Sequence, residues 1–307
     1  MQADRILVTG GAGFIGSHVV DNLVEKGYEV TVLDNLSTGK VENIRSHIND
    51  KTIKFVNGDI TDANTVKKAS QRCNAVIHLA AVVSVPQSIK EPQLVSKVNV
   101  TGTLNVLNSG VRAKINKFVF ASSAAVYGDA KPPHHEDLQL RALSPYAATK
   151  IAGEYFCKAF KASYDLPIVI LRYFNVYGPR MISDTYGSVI MNFMKRVSAN
   201  KQPVIYGNGK QTRDFIHVED VAEATVLALE NQNVVGIAFN VATGKSTTVT
   251  NLYKMFLKVL DRKMKAKYLS TRAGDVKESY ADVSLIKKKL HFYPSISLET
   301  GLKTIIE

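Results

Sequence analysis

The sequence predicts an α/β protein, a doubly wound parallel sheet with a smaller C-terminal α/β lobe. Three observations carry this expectation. Wholly apolar, strand-sized runs alternate with helix-length segments through the first half of the chain. A glycine-rich turn joins the first of those strands to the first helix. After Gly178-Pro179 the alternation gives way to a mixed pattern of loops, short strands and helices. Strands that are apolar throughout, rather than every second residue, are those covered on both faces by crossover helices.

In chain order, "RILVT" is a short apolar strand, "FIGSHVVDNLVEKG" a helix closed by glycine, and "YEVTVLD" the next strand. "IKFVNGDI", "NAVIHLAA", "NKFVFASS" and "LPIVILRYFN" supply further buried strands. "EPQLVSKVNVTGTLNVLNSGVR" and "SPYAATKIAGEYFCKAFKASY" are helix-length segments between them. Beyond the loop "RMISDTYG", the reading gives a helix in "SVIMNFMKRVSAN", a strand in "PVIYG", a loop in "NGKQTRD" and a helix in "EDVAEATVLALEN". In "TVTNLYKMFLKVL" the period of 3.6 places Val249, Leu252, Tyr253, Phe256, Leu257 and Leu260 on one helical face. Residues 1–177 are expected to form the first domain, with 236–245 returning to it, and 178–307 the second lobe.

Composition narrows the class. A chain of 307 residues buries a sizeable core, and 45% apolar with 21% charged residues is ordinary for a water-soluble globular protein. No apolar run approaches the roughly 18 residues that span a bilayer. "MQADRILVTG" runs directly into a strand, so no signal peptide is expected. Cys73 and Cys157 are too few for a disulfide framework and lack metal-ligand spacing, so no metal is expected and the natural setting is cytoplasmic. The net charge of +12 raises nucleic-acid binding. Apart from "KVLDRKMKAK" and "IKKKL" the lysines are scattered, and no nucleic-acid module signature accompanies them. Scattered charge is a solvated surface, one that also attracts anionic nucleotides.

The first site lies in "VTGGAGFIG". Gly10, Gly13 and Gly16 supply the tight turn, the close phosphate approach and the close helix packing of a Rossmann-type dinucleotide site. A glycine triplet alone is weak evidence. Here it sits between a strand and a helix, and Asp34 ends the second strand at the expected distance. A carboxylate accepts hydrogen bonds from a ribose diol but repels a 2′-phosphate, so NAD is expected rather than NADP. The bland alternative is that Asp34 caps a turn.

The second site lies in "SPYAATKIAGEYF", where Tyr146 and Lys150 stand four apart and share a helix face. A phenol is a poor base near neutrality, but an ammonium and a positive nicotinamide ring both favour phenolate. Bringing it to neutrality takes roughly 4 kcal/mol, attainable in a desolvated cleft. The spacing is common by chance. Its weight comes from following a dinucleotide fingerprint and the Ser-Ser loop "ASSAAVYG".

Taken together, "TGGAGFIG", "HLAA", "SSAAVYG", "YAATK", "RYFNVYGPR" and "RDFIHVEDVA" resemble the extended short-chain dehydrogenase/reductase family, and within it the UDP-hexose 4-epimerases. The likeness runs from Arg5 to about Asp282. It implies a catalytic set of Ser123, Tyr146 and Lys150. It also implies cofactor contacts at Phe14, Ile15, Asn35, Ser37, Gly39, Asp59, Ile60, Leu79, Ala80, Ala81 and Asn99, with Phe174 beside the nicotinamide. His78, though next to these, reads as core. In the second lobe it implies diphosphate-gripping arginines at Arg213 and Arg272. Asn175, Val189, Tyr206 and Asp275 would lie around the phosphates, uracil and ribose.

Ser279 matches a gate beside the sugar, where a small residue admits a 2-acetamido group and a tyrosine excludes it; a slip of one residue would put Tyr280 there. The implied substrates are UDP-N-acetylglucosamine and UDP-N-acetylgalactosamine alongside UDP-glucose and UDP-galactose. Restriction to the non-acetylated pair, or to UDP-glucuronate, is the alternative. Related 4,6-dehydratases and decarboxylases need proton-transfer groups where this chain has Ala124 and Ala125. A non-catalytic NAD sensor or nucleic-acid binder would have no need of all three catalytic residues. The resemblance also implies a homodimer formed through helices of the first domain, with Ala152, Tyr155, Phe156, Ala159 and Phe160 suited to that interface or to the core.

Overall fold

The computed structural model describes residues 4–181, 188–270 and 276–306. Seven parallel strands form its main sheet: β1 (Arg5–Thr9), β2 (Glu29–Asp34), β3 (Ile53–Asn57), β4 (Ala75–His78), β5 (Lys117–Ser123), β6 (Ile168–Tyr173) and β7 (Ala238–Val241). Their spatial order is β7-β6-β5-β4-β1-β2-β3. Register is set by pairs such as Ile6↔Val30, Ile6↔Ala75 and Phe118↔Ile168. The order reverses at β1, and the strands to its two sides, β2 and β4, leave a crevice above their carboxyl ends.

Both faces of the sheet are covered, and the strands divide their side chains between them with period two. Ile6 and Val8 of β1, Val119 and Ala121 of β5, and Val169 and Leu171 of β6 enter one core. There they meet Val19, Val20 and Leu23 of helix Phe14–Glu25, and Val221, Ala224 and Ala228 of helix Val218–Glu230. Leu7, Phe118, Phe120, Ile168 and Ile170 enter the opposite core with Val66, Val106, Leu107, Cys157 and Phe160. Burial of the central strands β1, β4, β5 and β6 on two sides is why the sequence shows apolar runs there instead of alternation.

A third core belongs to the second lobe, with Ile190, Phe193, Ile205, Phe215, Leu252, Phe256 and Leu302 at its centre. On helix Val249–Val259 the face anticipated from sequence is the face that is used. Val249, Leu252, Phe256 and Leu257 are buried, and Tyr253 and Leu260 pack partly against them. Short strands frame the cleft between lobes. Asn175–Tyr177 pairs with Phe215–His217, and Thr212–Arg213 lies between Thr247–Thr248 and Glu278–Ser279. The stretch read as the loop "NGKQTRD" therefore contains a two-residue strand.

The segment read as one helix over 91–112 is instead three pieces: Pro92–Ser96, a π-helical stretch Lys97–Gly102, and Thr103–Ala113. The wide turn carries Asn99, whose side chain reaches back to the loop after β4 and fastens it. Its Oδ1 accepts from Val82 N at 2.8 Å and its Nδ2 donates to Val82 O at 2.9 Å. Helices Val85–Lys90, Ala63–Ala69, Ser284–Leu290 and Leu298–Ile306 were not marked by the sequence patterns above. No helix among the described residues is long and apolar enough to cross a membrane.

Candidate active site

The glycine turn is shaped by contact. Gly10 has φ +72°, and a β-carbon there would lie 2.8 Å from Ala80 N. One on Gly16 would lie 2.0 Å from Gly10 O, so the helix begins in contact with the turn. Gly13 opens that helix without a side-chain cap, and its first turn carries no acidic residue. A helix N-terminus of this kind suits a pyrophosphate. Beside it, Asp34 is buried, with Oδ2 accepting from Ala12 N at 3.0 Å and Oδ1 from Leu36 N at 2.8 Å. Burial pushes its carboxyl above the usual value, and those two amides work against that. A β-carbon on Gly39 would come within 2.9 Å of Asp34 Oδ1, so glycine keeps the carboxylate accessible on that side.

The other expected cofactor residues gather at the same strand ends. Asn35 Nδ2 donates to Asp59 Oδ2 at 2.8 Å, and Asn35 Oδ1 accepts from Ser37 N at 3.0 Å. Ile60 is buried against Gly102. Ala80 N donates to Thr9 Oγ1 at 3.3 Å, with Leu79 and Ala81 on either side, each partly exposed. Phe14 is buried and Ile15 partly so. His78 is locked between Thr9 Oγ1 at 2.7 Å and Thr103 Oγ1 at 2.9 Å, a core residue. Tight glycines, an uncapped helix start and a buried carboxylate on the neighbouring strand together fit a dinucleotide with a free ribose diol.

Across the crevice, β5 delivers Ser123 and helix Pro145–Tyr164 delivers Tyr146 and Lys150. Ser144 caps that helix by accepting from Ala147 N at 3.1 Å, and Pro145 occupies its first position, so the start of the helix is firmly fixed. Tyr146 is 7% exposed and Lys150 6%. Burial raises the Tyr146 phenol above its ordinary value, and a hydrogen bond with Ser123 opposes this. Burial brings the Lys150 ammonium down to about 8. Its Nζ donates to Ala121 O at 2.8 Å and lies 5.4 Å from the centre of the Phe120 ring. Asn99 Nδ2 also donates to Thr149 Oγ1 at 3.0 Å, tying the helix of Tyr146 and Lys150 to the loop after β4.

Of the expected substrate residues, Arg213, Ser279, Asn175, Tyr206 and Val189 lie on or at the start of short strands and a helix beyond β6. Arg213 Nη1 donates to Thr212 O and to Val276 O, each at 2.7 Å. Ser279 stands opposite Arg213 in a parallel pair, partly exposed. Asn175 begins the strand after Phe174, and Nδ2 donates to Asp214 O at 3.2 Å. Phe174 is buried beside Tyr127 and His134, with ring centres 6.3 and 6.2 Å away. Tyr206 ends one short strand and Val189 begins helix Val189–Ser198. Arg272 and Asp275 lie outside the described residues.

Two features of the site were not singled out from sequence. Asp214 is a fully buried carboxylate that accepts from Thr243 N, Thr243 Oγ1, Gly244 N and Ala281 N, knotting three loops beside Arg213. Glu154 and Arg172 form a buried ion pair behind Ser123. The signal for Arg172 was available: one charge inside the apolar strand "IVILRY". Among the described residues no cluster of potential metal ligands occurs.

A parallel sheet with a dinucleotide crevice, and a Ser-Tyr-Lys set across it, defines a nucleotide-dependent oxidoreductase scaffold of the short-chain dehydrogenase/reductase type. The chain belongs to the NAD dependent epimerase/dehydratase family, whose sequence pattern it matches over residues 6–242. It is similar to the UDP-N-acetylglucosamine 4-epimerase of Methanobrevibacter ruminantium, solved with UDP-N-acetylmuramic acid. Identity is 39%, the TM-score 0.94, and 100% of this chain and 98% of that one are covered. It is also similar to the UDP-glucose 4-epimerase of Thermotoga maritima solved with UDP-glucose, at 38% identity and TM-score 0.93 over 98% and 97% of the two chains. A UDP-glucuronate 4-epimerase of Thermodesulfobacterium geofontis is 36% identical over 309 residues, 98% of this chain and 94% of that protein.

Proposed function

We propose that the chain is an NAD-dependent UDP-sugar 4-epimerase that accepts UDP-N-acetylglucosamine and UDP-N-acetylgalactosamine as well as UDP-glucose and UDP-galactose. The observation that carries the reaction type is Tyr146 brought beside Ser123 on the same side of the crevice, with Ala124 and Ala125 following Ser123. NAD, when bound, takes up the hydrogen at sugar C4 as hydride and returns it.

Tyr146 accepts the proton of the C4 hydroxyl, and Ser123 shares a hydrogen bond with the same oxygen. Lys150 has spare N–H groups beyond the one on Ala121 O, so it can hold the cofactor ribose and add positive charge beside the phenol. The sugar becomes a 4-ketone, turns over in the site and is reduced from its other face, with Tyr146 giving the proton back. Ala124 and Ala125 begin the short turn Ala124–Tyr127 and carry no group able to draw the ketone on to elimination. Arg213, joined by Arg272, grips the diphosphate with forked hydrogen bonds. Asn175, Val189, Tyr206 and Asp275 complete the nucleotide contacts.

The N-acetyl reading rests on Ser279, a small side chain directly opposite Arg213 in the parallel pair. The purified protein, with no added cofactor, is assayed by sugar-nucleotide chromatography against UDP-glucose, UDP-galactose, UDP-N-acetylglucosamine and UDP-glucuronate. Interconversion of both the acetylated and the plain pairs is expected. Turnover of UDP-galactose alone overturns the N-acetyl reading, and turnover of UDP-glucuronate alone replaces the substrate.

We also propose a homodimer through the catalytic helix and its neighbours. Phe160 is core, whereas Tyr155 on that helix is 60% exposed, and Ile89 of the neighbouring helix Val85–Lys90 is 64% exposed. Sedimentation of a monomer would reject the pairing. Both cysteines are free and buried, which fits a reducing cytoplasm.

A further inference from the structure

We propose that Ser122, Glu154 and Arg172 are positioning residues for this reaction, holding the Ser123 loop against the Tyr146 helix and extending that hold to the segment that carries Ser279. The inference rests on the epimerase reading above. Glu154 and Arg172 have side chains 0% and 2% exposed, the most deeply buried ion pair in the described structure. Taking two charges out of water is costly, and an apolar pair of similar volume stabilises a core as well or better. Stability alone therefore gives no reason for this pair.

Geometry gives one. Glu154 Oε1 accepts from Ser122 Oγ at 2.6 Å and from Arg172 Nε at 2.9 Å, and Oε2 accepts from Arg172 Nη2 at 2.7 Å. Arg172 Nη1 donates to Tyr127 OH at 2.9 Å and to Glu136 O at 2.8 Å. Ser122 and Tyr127 bracket the stretch that holds Ser123, Ala124 and Ala125. Both ends of that stretch are thus fastened to one guanidinium–carboxylate pair. Glu154 itself stands one helical turn beyond Lys150, on the helix of Tyr146. Any slack in the pair is slack between Ser123 and Tyr146.

The chain of bonds continues outward. Tyr127 OH donates to Asn240 Oδ1 at 2.6 Å. Asn240 Nδ2 donates to His134 O at 2.8 Å and to Asp282 O at 3.1 Å. His134 N in turn donates to Tyr280 O at 2.9 Å, next to Ser279. The base, the hydrogen-bonding serine and the sugar gate are held in a common frame.

The test measures kcat, KM and melting temperature for Ser122→Ala, Glu154→Gln, Ser123→Ala and the double variant Ser122→Ala/Ser123→Ala. Ser122→Ala removes one hydrogen bond and leaves the ion pair, so it folds even where Glu154→Gln does not. Expected for Ser122→Ala is a fall in kcat on the order of tenfold, because small misplacements of reacting groups are costly, with KM within about twofold. In the double variant the two losses do not multiply, since without the Ser123 hydroxyl there is nothing left for Ser122 to aim. An unchanged kcat in Ser122→Ala, a loss matched by the folded fraction alone, or fully multiplicative losses overturn the proposal. A wild type that turns over no UDP-sugar overturns the epimerase reading and this inference with it, whereas an active wild type with an indifferent Ser122→Ala overturns only the inference.

Discussion

Ser279 stands directly across from Arg213 in a parallel pair of strands. Side chains opposite one another in such a pair lie on the same face, so whatever Arg213 holds, Ser279 borders. Tyr280, the next residue, falls on the other face by the same alternation. Ser279→Tyr is therefore expected to abolish epimerisation of the N-acetyl sugars, by about 100-fold or more, and to leave UDP-galactose turnover within a few-fold. Tyr280→Ser is expected to leave the ratio between the two pairs unchanged. Parallel assays on the acetylated and plain sugars decide it; a shift in preference from Tyr280 instead would move the gate by one position.

Tyr146→Phe is expected to retain NAD and lose turnover by about 10³-fold, the usual scale for removal of a positioned acid–base group. The hydroxyl alone is lost, and the ring stays buried between helix and sheet. Absorbance of cofactor co-purified with the variant checks retention. Unchanged turnover would reject Tyr146 as the base.

The pH profile follows from the two influences on that phenol. Burial raises it and the hydrogen bond with Ser123 lowers it. The base works deprotonated, so turnover rises with pH through its titration. Removing the bond in Ser123→Ala moves that rise to higher pH, and the variant is more impaired at pH 7 than at pH 9. A profile displaced downward, or not displaced, contradicts the pairing.

His78 links pH to stability. Burial holds its imidazole at about 3, against 6.5 when unfolded. Between those values the unfolded chain binds a proton that the folded chain refuses, so stability falls as pH drops below about 6.5. At pH 5 the cost is about 2 kcal/mol from this residue. His78→Gln is expected to lower the melting temperature at pH 7.5 but to flatten its decline between pH 7.5 and 5. An equal decline in both proteins would assign the acid sensitivity elsewhere.

Gly16→Ala places a methyl 2.0 Å from Gly10 O, a distance no relaxed structure keeps. The helix must move away from the turn, at a cost of about 1–3 kcal/mol. The protein is expected to emerge from purification without NAD and to melt earlier. A variant that still carries stoichiometric cofactor would show that the close approach is dispensable.

The sequence made the main sheet legible because its central strands, β1, β4, β5 and β6, are buried on both faces and read as apolar runs. The glycine turn was legible because few backbones approach a helix start that closely, and Asp34 because its strand ends where a ribose would lie. What stayed hidden depends on distance along the chain. Glu154 and Arg172 are 18 residues apart on a helix and a strand, and nothing local announces their pairing. The break at Lys97–Gly102 was hidden by good helical residues on both sides; only the reach of Asn99 to Val82 explains it. Thr212–Arg213 is strand only because Thr247–Thr248 and Glu278–Ser279 flank it.

The chain visits the larger lobe, leaves it, and comes back. Strand β7 and helix Val218–Glu230 complete its sheet and one of its cores, although both follow the crossing into the smaller lobe. A fragment ending at residue 177 would have an open edge along β6 and an uncovered face on helix Phe14–Glu25. The two lobes thus share one sheet edge and one core. Any partner lobe grafted in place of the smaller one would have to bring back the missing strand and helix.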